Sequence, residues 1–504
     1  MSYTYLFLVA AAICAVGSFS AHHQKLTGPS RLFAVLFTAF LVAAGLVYVD
    51  ESVNNGNRVS KRSGTSPVIS MPFKDPRWSD VKWRLDIVLN ALVHKRLSAL
   101  STFIAANQVG YGLLEKQKAN VIESSFALSS HEMDRFVNRT IGVIAREFSN
   151  VESTFARSKG LFRRIDRFDA SLTFTPRQAF VIIAQSFLGI PLIVGGSVDE
   201  ESIYKGFTAD NSAALNKVKG IVIYLNSMAT ILNSNQKDFL SRKIVISRIS
   251  GADQSLSKWM ESTRILSNIN VVSGNIDSSS TILQADFANK RVGGGVFRFD
   301  TLQEEIRMII SPEAILAKLF TSELTDLEAL YIGGTVQFTA YTGYKEKFQI
   351  SGISQMIASV LAGRMRTITQ DDIIAIDAID FNANRFVAGK PSQFDINAIL
   401  RDSNKVRLAL NGVIGTRPFG TGDWGGGDFE GDQQLKALIQ WIGASEAGRG
   451  MVYFADDKFK NQFISIITKI KKAKPKMTVG ELLKILSKVK LPKTAFKIVE
   501  ESLT

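Results

Sequence analysis

The chain has 504 residues, a formal net charge of +14 at pH 7 and a hydrophobic fraction of 46%. This length exceeds what one hydrophobic core usually serves, so two domains are expected, and the apolar fraction excludes wholesale disorder. Sixty Lys and Arg residues against forty-six Asp and Glu residues favour the capture of a polyanion, although many basic proteins simply carry solvated lysines.

Two uncharged stretches lie at the start of the chain, at residues 1–21 and 32–49. The second is close to the minimum length of a helix that spans a bilayer. The first has the length of a signal peptide but no basic residue at its start, so half of a membrane hairpin is an equal interpretation. Residues 1–50 are therefore expected to associate the protein with a membrane or the secretory pathway. The alternative is the cytoplasm or nucleus, if this extension is removed or has no such role.

The next 190 residues divide into a linker and a helical region. Residues 51–77 are rich in turn formers and poor in apolar side chains, which predicts the linker. From Trp78 onward, apolar residues recur at intervals of three and four, as in helices, and Thr175 before Pro176 is a typical helix start. Residues 78–240 are therefore expected to form a mainly α-helical domain.

The sequence pattern changes after residue 240. Short runs rich in β-branched residues predict strands at 243–249, 269–273, 329–332, 373–379 and 450–454. Helical patterns lie between several of them, near 304–320 and 434–446. This alternation predicts an α/β domain over 241–504, with a buried mixed or parallel sheet and ligands at the strand ends. The lysine-rich stretch 469–497 is interpreted as a solvated helix face.

Few side chains outside the carboxylates can carry chemistry. The single cysteine, Cys14, lies in the apolar N-terminal run, which excludes disulfides and thiolate chemistry in the folded body. Of the four histidines only His94 and His131 lie beyond the N-terminal region, too few for a zinc cluster of the Cys/His kind. If the protein is an enzyme, carboxylates are the expected acid and base.

The segment 284–306 carries the strongest chemical signal. Gly293, Gly294 and Gly295 let a loop approach a ligand without Cβ obstruction and offer successive N–H donors, which suits a diphosphate. A hinge or a tight turn would have the same residues. Thr301 and Glu304 have capping-box spacing and predict that a helix begins there.

Glu304 and Glu305 are adjacent in this predicted first turn. Neighbouring helical positions project about 100° apart, so the two carboxyl groups are expected to have separate roles. Because a helix N-terminus favours the ionised carboxylate, a general acid there must be kept protonated by burial or by its neighbour's charge. The plainer interpretation is that both glutamates only complement the helix dipole.

The combination of three glycines, a short spacer and Gln303-Glu304-Glu305 resembles the signature of poly(ADP-ribose) glycohydrolases. The similarity covers approximately residues 80–490. It implies a macrodomain-like α/β/α sandwich with a mixed sheet, preceded by a helical accessory domain and, in this chain, by the N-terminal hydrophobic segments. It also implies hydrolysis of ribose–ribose O-glycosidic bonds, with poly(ADP-ribose) and ADP-ribosylated proteins as partners and no metal or redox cofactor.

The resemblance further implies roles for individual residues. Glu305 would act as the catalytic acid and base, Glu304 would hold a ribose hydroxyl, and Asp286 would shape the pocket beside them. The implied substrate-binding residues are Ile276, Asp277, Asn289, Gly293, Gly294, Gly295, Gln303, Tyr344, Gly422, Asp423, Gly425 and Phe454.

Two positions depart from the family pattern. Asp423 puts a carboxylate where the family's second loop has a neutral amide beside the diphosphate, so weaker binding is expected from like-charge repulsion. Asp456 stands where animal enzymes have an aromatic residue. An ADP-ribose-binding module with weakened or lost catalysis is therefore the alternative to an enzyme. A membrane-surface protein that binds anionic lipid through its lysine-rich end is a third interpretation.

Overall fold

The computed structural model describes residues 66–92, 104, 106–107, 130–166, 170–205, 212–365, 367–384 and 392–503. The two segments at 1–21 and 32–49, for which membrane association was predicted, lie outside these residues. None of the helices in the described ranges has the length and apolar character needed to cross a membrane. This finding corrects the predicted membrane or secretory localisation, and the transmembrane and signal assignments have no support.

Residues Ser66–Thr504 form one compact unit. Its strands are β1 (Val68–Ser70), β2 (Leu161–Arg163), β3 (Ser171–Phe174), β4 (Ile193–Val194), β5 (Ser197–Val198), β6 (Ile244–Ser250), β7 (Ile269–Val272), β8 (Leu283–Ala288), β9 (Glu328–Thr335), β10 (Thr339–Thr342), β11 (Gln349–Ile353), β12 (Asp371–Asp377), β13 (Phe419–Thr421) and β14 (Met451–Phe454).

The α-helices follow the same chain order. They are α1 (Trp78–Leu92), α2 (Ser130–Arg135), α3 (Ile141–Ser149), α4 (Val151–Thr154), α5 (Pro176–Phe187), α6 (Ser212–Asn233), α7 (Lys237–Leu240), α8 (Leu256–Met260), α9 (Gln303–Ile310), α10 (Ile315–Phe320), α11 (Gln355–Leu361), α12 (Phe381–Asn384), α13 (Ile396–Asn411), α14 (Gln433–Glu446), α15 (Asp457–Ala473), α16 (Val479–Leu486) and α17 (Ala495–Glu501).

The central sheet has eight strands in the order β3-β6-β9-β12-β8-β13-β14-β7. The strands from β3 to β12 pair antiparallel, whereas those from β12 to β7 pair parallel. The predicted α/β fold with a mixed sheet is therefore confirmed. The carboxyl ends of the parallel strands lie along the same side of the sheet, and ligands bind next to these strand ends in open α/β folds.

Helices cover both faces of this sheet. In β12, Ile373 and Ala375 pack in one core and Ile374 and Ile376 in the other, because successive strand residues face opposite sides. The first core includes buried residues of α5, α6 and α9, and the second includes those of α13, α14 and α16. The arrangement is an α/β/α sandwich.

The region before residue 240 contributes directly to this sandwich. Strand β3 forms one edge of the sheet through its pairing with β6, and the rings of Phe174 and Phe320 pack with centroids 4.9 Å apart. Helix α5 begins as predicted, with Thr175 as its cap, Pro176 in its first turn and Gln178 completing a capping box. The division into a helical domain and an α/β domain near residue 240 stays a prediction.

Candidate active site

The glutamate pair lies in the first turn of α9. The N-cap of this helix is one residue later than the predicted Thr301. Leu302 is the N-cap, and its N–H donates to Glu305 Oε2 at 3.0 Å. Glu305 therefore closes the turn, and the predicted capping box between Thr301 and Glu304 is wrong. The Thr301 carbonyl instead accepts from the Lys345 N–H at 3.2 Å.

The triglycine loop, residues 293–295, holds both carboxyl groups by its backbone. The Gly293 N–H donates to Glu304, and the Gly295 N–H donates to Glu305 Oε1 at 2.8 Å. Gly294 has a φ of 39°, and a Cβ there would lie 2.7 Å from Glu304 Oε2, so the position requires glycine. In this structure the N–H groups of Gly293 and Gly295 face the glutamates and that of Gly294 donates to the Arg291 carbonyl, whereas a diphosphate-binding role was predicted for the loop.

Burial sets the protonation of these acids. Glu304, Glu305 and Asp286 are all nearly inaccessible, and neither Asp286 carboxyl oxygen has a hydrogen-bond partner among the residues described. Burial, assisted by the charge of Glu305, raises the pKa of Asp286 to about 7. Burial and the charges of Asp286 and Glu305 raise the pKa of Glu304 well above its ordinary value. The N–H groups of Asn289 and Gly293, which donate to the two Glu304 oxygens, act in the opposite direction.

The pKa of Glu305 is controlled by opposing effects. Burial raises it, whereas the Gly295 N–H and the charge of Lys217 lower it. The two adjacent glutamates thus have different surroundings, as their separate directions in the helix predict. The pKa of Glu304 is raised by burial and by two neighbouring carboxyl groups, whereas Glu305 is also buried but has the Lys217 cation nearby.

Gln303 connects this cluster to the sheet. Strand β13 pairs with β8 only at Leu283 and Gln284, which leaves the end of β8 without a neighbour on that side. The Gln303 side chain takes the place of the missing strand, because it accepts from the Phe287 N–H at 2.8 Å and donates to the Ala285 carbonyl at 3.0 Å. The sheet opens at this point, and two cavities lie there.

The first cavity has a volume of about 260 Å³. Of the predicted substrate-binding residues it is lined by Ile276, Asp277, Gln303, Tyr344, Gly422, Asp423 and Phe454. Tyr341 also lines it and donates from its hydroxyl to Asp277 Oδ1 at 3.1 Å. Aromatic rings and an aliphatic side chain beside a fixed carboxylate suit a flat heterocycle with hydrogen-bond donors.

The second cavity, of about 340 Å³, adjoins the first. Both are lined by Phe287, Gln303, Tyr344 and Asp423, and the predicted residue Gly425 lines the second. The loop that carries Asp423 and Gly425 is anchored by Trp424, whose buried indole N–H donates to the Ile376 carbonyl at 2.9 Å. Gly425 has a φ of 74°, and a Cβ there would meet the Ala378 methyl group at 2.7 Å.

Asp423 brings a carboxyl group to the boundary of the two cavities. Its Oδ1 has no partner in the part of the chain that is described. Burial raises the pKa of Asp423 to about 6, and the charges of Asp432 and Asp456 act in the same direction against that of Lys436. Asp456, the second departure from the family pattern, caps α15 by accepting from the Phe459 N–H at 3.0 Å.

The predicted site residues therefore fall into two neighbouring groups. The residues that line neither cavity form the diglutamate cluster, which comprises Asp286, Asn289, Gly293, Gly294, Gly295, Glu304 and Glu305. Asn289 belongs to it because its N–H donates to Glu304 Oε2 at 3.0 Å. Leu302 and Gln303 precede the glutamates in the chain and line the second cavity, so they join the two groups.

Several residues near the site were not identified from the sequence. Lys217 and Lys318 donate to carbonyl oxygens of the triglycine loop, and Arg307 lines the first cavity. The two lysines lie on helices far from the motif in sequence, and a lysine that bonds backbone has no recognisable spacing. Tyr341 could have been found, because it lies only three residues before the predicted residue Tyr344.

The mixed sheet between helical layers, with cavities at the ends of its parallel strands, defines an α/β/α sandwich of the macrodomain class. Residues 256–462 match the family model described as "Poly (ADP-ribose) glycohydrolase (PARG), Macro domain fold". Over this segment the chain is similar to the poly(ADP-ribose) glycohydrolase family.

Individual relatives extend the similarity beyond the matched domain. The chain is 27% identical over 341 residues to poly(ADP-ribose) glycohydrolase 1 of Caenorhabditis elegans, which covers 65% of this chain and 41% of that protein. It is 28% identical over 309 residues to poly(ADP-ribose) glycohydrolase 2 of the same organism, covering 58% and 56%. It is 29% identical over 268 residues to probable poly(ADP-ribose) glycohydrolase 2 of Arabidopsis thaliana, covering 45% and 50%. The chain thus spans about half the length of these relatives.

Proposed function

We propose that the protein hydrolyses ribose–ribose O-glycosidic bonds in poly(ADP-ribose) and releases ADP-ribose. The observation that carries this proposal is a pair of buried glutamates, 3% and 4% exposed, at the start of α9 and next to two adjoining cavities. The similarity of residues 256–462 to the poly(ADP-ribose) glycohydrolase family supports the same substrate class. Carboxyl groups of unequal acidity are what glycosidic hydrolysis requires.

In the proposed reaction Glu305 starts protonated. It donates its proton to the departing ribose 2′-oxygen while the bond from that oxygen to the anomeric carbon breaks. Water then adds to the oxocarbenium-like carbon and gives a proton to Glu305, which restores the acid. The net change is one water consumed and one glycosidic bond replaced by two hydroxyl groups.

Backbone donors and burial favour opposite protonation states of Glu305 in this scheme. The N–H groups of Gly295 and Leu302 lie 2.8 and 3.0 Å from its two oxygens, so they stabilise the carboxylate that forms after proton transfer. Burial opposes that ionisation and keeps the proton available beforehand. Glu304, whose pKa is raised by its burial, would hold a ribose hydroxyl.

The cavities suggest how the nucleotide lies. The adenine would occupy the first cavity, near Ile276, Asp277 and Phe454, with Tyr344 at its mouth. The diphosphate would cross to the loop of Gly422, Asp423 and Gly425, which borders both cavities. The distal ribose would then meet the diglutamate cluster beyond Gln303.

The test is digestion of labelled poly(ADP-ribose) by the full chain, with released ADP-ribose as the readout. We expect release by the unaltered protein and a loss of about 10²- to 10⁴-fold in rate for Glu305→Gln, because that side chain can no longer transfer a proton. Intact polymer together with tight ADP-ribose binding would contradict the proposal and favour a binding module. Asp423, a carboxylate beside the expected diphosphate, is the observation behind that alternative.

A further inference from the structure

Two lysines from different helices reach the triglycine loop on its carbonyl side. Lys217, on α6, is fully buried and donates to the Gly295 carbonyl at 2.9 Å and to the Arg298 carbonyl at 3.2 Å. Lys318, on α10, donates to the Gly294 carbonyl at 3.0 Å. Placing a lysine in a protein interior is costly unless its charge has a purpose or a partner.

We propose that Lys217 and Lys318 are positioning residues for the reaction, which hold the carbonyl groups of the triglycine loop so that its N–H groups face Glu304 and Glu305. The inference rests on the proposed function, and it adds two residues that the sequence motif does not contain. Neither lysine touches the cavities, so each acts through the loop.

The clearest connection passes through a single peptide group. The peptide between Gly294 and Gly295 accepts from Lys318 at its oxygen and donates to Glu305 at its nitrogen. Because a peptide group is planar, fixing the direction of its carbonyl also fixes the direction of its N–H. A cation at the oxygen also polarises the group, which strengthens the hydrogen bond on the other side.

Neighbouring contacts keep this arrangement in place. The next carbonyl, that of Gly295, is held by Lys217, and the Val296 N–H donates back to the Gly293 carbonyl at 2.9 Å. Gly293 has a φ of 93°, and a Cβ there would lie 2.7 Å from the Cβ of Lys318. The lysine stem therefore packs against the loop where only glycine leaves room for it.

Lys217 also affects the charge of Glu305. The charge of Lys217 lowers the pKa of Glu305 against the effect of burial, which favours the carboxylate that remains after proton donation. Burial in turn lowers the pKa of Lys217 to about 8, so the lysine is mostly charged at pH 7. The charged groups that face the two lysines are Asp199, Glu201, Arg298, Asp300, Glu304 and Glu305.

Helix α6 precedes the matched macrodomain segment, which starts at residue 256. Through Lys217, the helical region that precedes the matched segment therefore contributes a contact that holds the triglycine loop. Lys318 comes from within the matched segment, so the loop is held from both parts of the chain. The two lysines hold consecutive carbonyl groups, so removal of either should disturb the triglycine loop.

The experiment compares Lys217→Met and Lys318→Met with the unaltered full chain in polymer digestion. We expect kcat to fall about 10- to 100-fold with KM changed by less than about threefold, because the reacting group is misplaced while the cavities are untouched. Lys219→Met is the matched control, since Lys219 lies on the same helix and donates to the Ile350 carbonyl, away from the loop. Lys318→Arg should recover part of the lost rate.

A pH profile separates positioning from a merely structural role. Without the cation the pKa of Glu305 rises, so the fall in kcat at high pH should move to higher pH in Lys217→Met. A lower rate with an unmoved profile, or a rate equal to that of the unaltered protein, would overturn the inference.

A readout without activity keeps the two proposals distinguishable. If the unaltered chain releases no ADP-ribose, the proposed function fails, whereas the lysine inference can still be tested by NMR titration of ¹³C-labelled glutamate carboxyl groups. Glu305→Gln identifies the Glu305 signal. A higher titration midpoint for Glu305 in Lys217→Met would support the inference, and an unchanged midpoint would refute it.

Discussion

Asp286 shows at the scale of one residue how burial prepares the site. It lies near the end of a central strand with neither carboxyl oxygen bonded in the described part of the structure, and its pKa is raised from 3.8 to about 7. A group with a raised pKa in the folded state contributes full stability below its unfolded pKa and loses it as pH rises through the folded pKa. Ionisation of Asp286 should therefore destabilise the fold between about pH 4 and 7.

The first prediction follows for Asp286→Asn. The pKa change from 3.8 to about 7 corresponds to about 4 kcal/mol, so the variant should gain stability relative to the unaltered protein by up to that amount as pH rises from 4 to 8. Urea unfolding at the two pH values measures the change. An equal difference in the free energy of unfolding at both pH values would contradict this view of Asp286.

The second prediction concerns Asp423, whose pKa is raised to about 6. Above that pH its carboxylate should repel a diphosphate in the adjoining cavities, and below it the repulsion disappears with protonation. ADP-ribose should therefore bind more tightly to the unaltered protein as pH falls through about 6. Asp423→Asn should bind about tenfold more tightly at pH 7.5 and lose most of this pH dependence.

Calorimetry at pH 5 and pH 7.5 measures the dissociation constant of ADP-ribose for the unaltered protein and for Asp423→Asn. Parallel pH dependence of the dissociation constant in the two proteins would show that another group controls binding.

Single residues differ in how far sequence could predict them. Glu304 and Glu305 were identified because the triglycine and Gln-Glu-Glu spacing is specific. Lys217 was not, because its partner Gly295 lies 78 positions later and is contacted through a carbonyl that any residue would provide. The diphosphate-binding role of the triglycine loop stays a prediction, and the contacts of Gly293 and Gly295 with the two glutamates were not anticipated.

At the scale of elements, apolar patterning predicted most of the sheet. The runs at 243–249, 269–273, 329–332, 373–379 and 450–454 correspond to β6, β7, β9, β12 and β14. Strand β8 was missed because its buried Gln284 and Asp286 interrupt the apolar pattern, and β13 because it has only three residues, Phe419–Thr421. Strands β8 and β13 carry or border the site. At such positions polar or small residues with a functional role replace the apolar residues that make a strand recognisable.

The third prediction belongs to the triglycine loop as an element. Gly294→Ala should displace both carboxyl groups, because the added Cβ would lie against Glu304 and Glu305 oxygens in a backbone conformation that favours glycine. We expect release of ADP-ribose to slow about 100-fold, with cooperative unfolding retained. Gly142→Ala, in open space on α3, is the control. Equal rates in the two variants would contradict the loop's role.

At the scale of the whole molecule, positive charge is concentrated in the C-terminal helices. Exposed lysines on and between α15, α16 and α17 are Lys458, Lys469, Lys471, Lys472, Lys476, Lys484, Lys488, Lys490, Lys493 and Lys497. Helix α15 follows β14, whose last residue Phe454 lines the first cavity. A polyanionic substrate that extends beyond the site should be attracted by the positive charge of these lysines.

The fourth prediction is therefore a salt dependence that grows with substrate length. Polymer affinity should fall about tenfold between about 50 and 200 mM salt, whereas ADP-ribose affinity should fall less, because fewer counterions are released. Lys471→Glu combined with Lys472→Glu should weaken polymer binding and leave ADP-ribose binding unchanged. Lys82→Glu, on α1, is the control. An identical salt response for the two ligands would contradict the prediction.

Residue patterns alone predicted the class of the fold but not the order of the strands in the sheet. Alternating strands and helices predicted a mixed or parallel sheet, but strand order depends on long-range pairing that leaves no local pattern. Strand β3 illustrates this, since Ser171–Phe174 lies in a region that reads as helical and yet pairs with β6 at the sheet edge. The α/β/α sandwich was predicted from the resemblance to a family, because residue patterns alone did not indicate it.

The central claim is that the diglutamate cluster and the two cavities form one site. A crystal structure of the Glu305→Gln variant with ADP-ribose tests it most directly, because the variant should bind without turnover. The account predicts adenine in the first cavity beside Phe454, the diphosphate against the loop of Asp423 and Gly425, and the side chain at position 305 facing the anomeric carbon. A nucleotide bound elsewhere, or a side chain at position 305 directed away from that carbon, would contradict it.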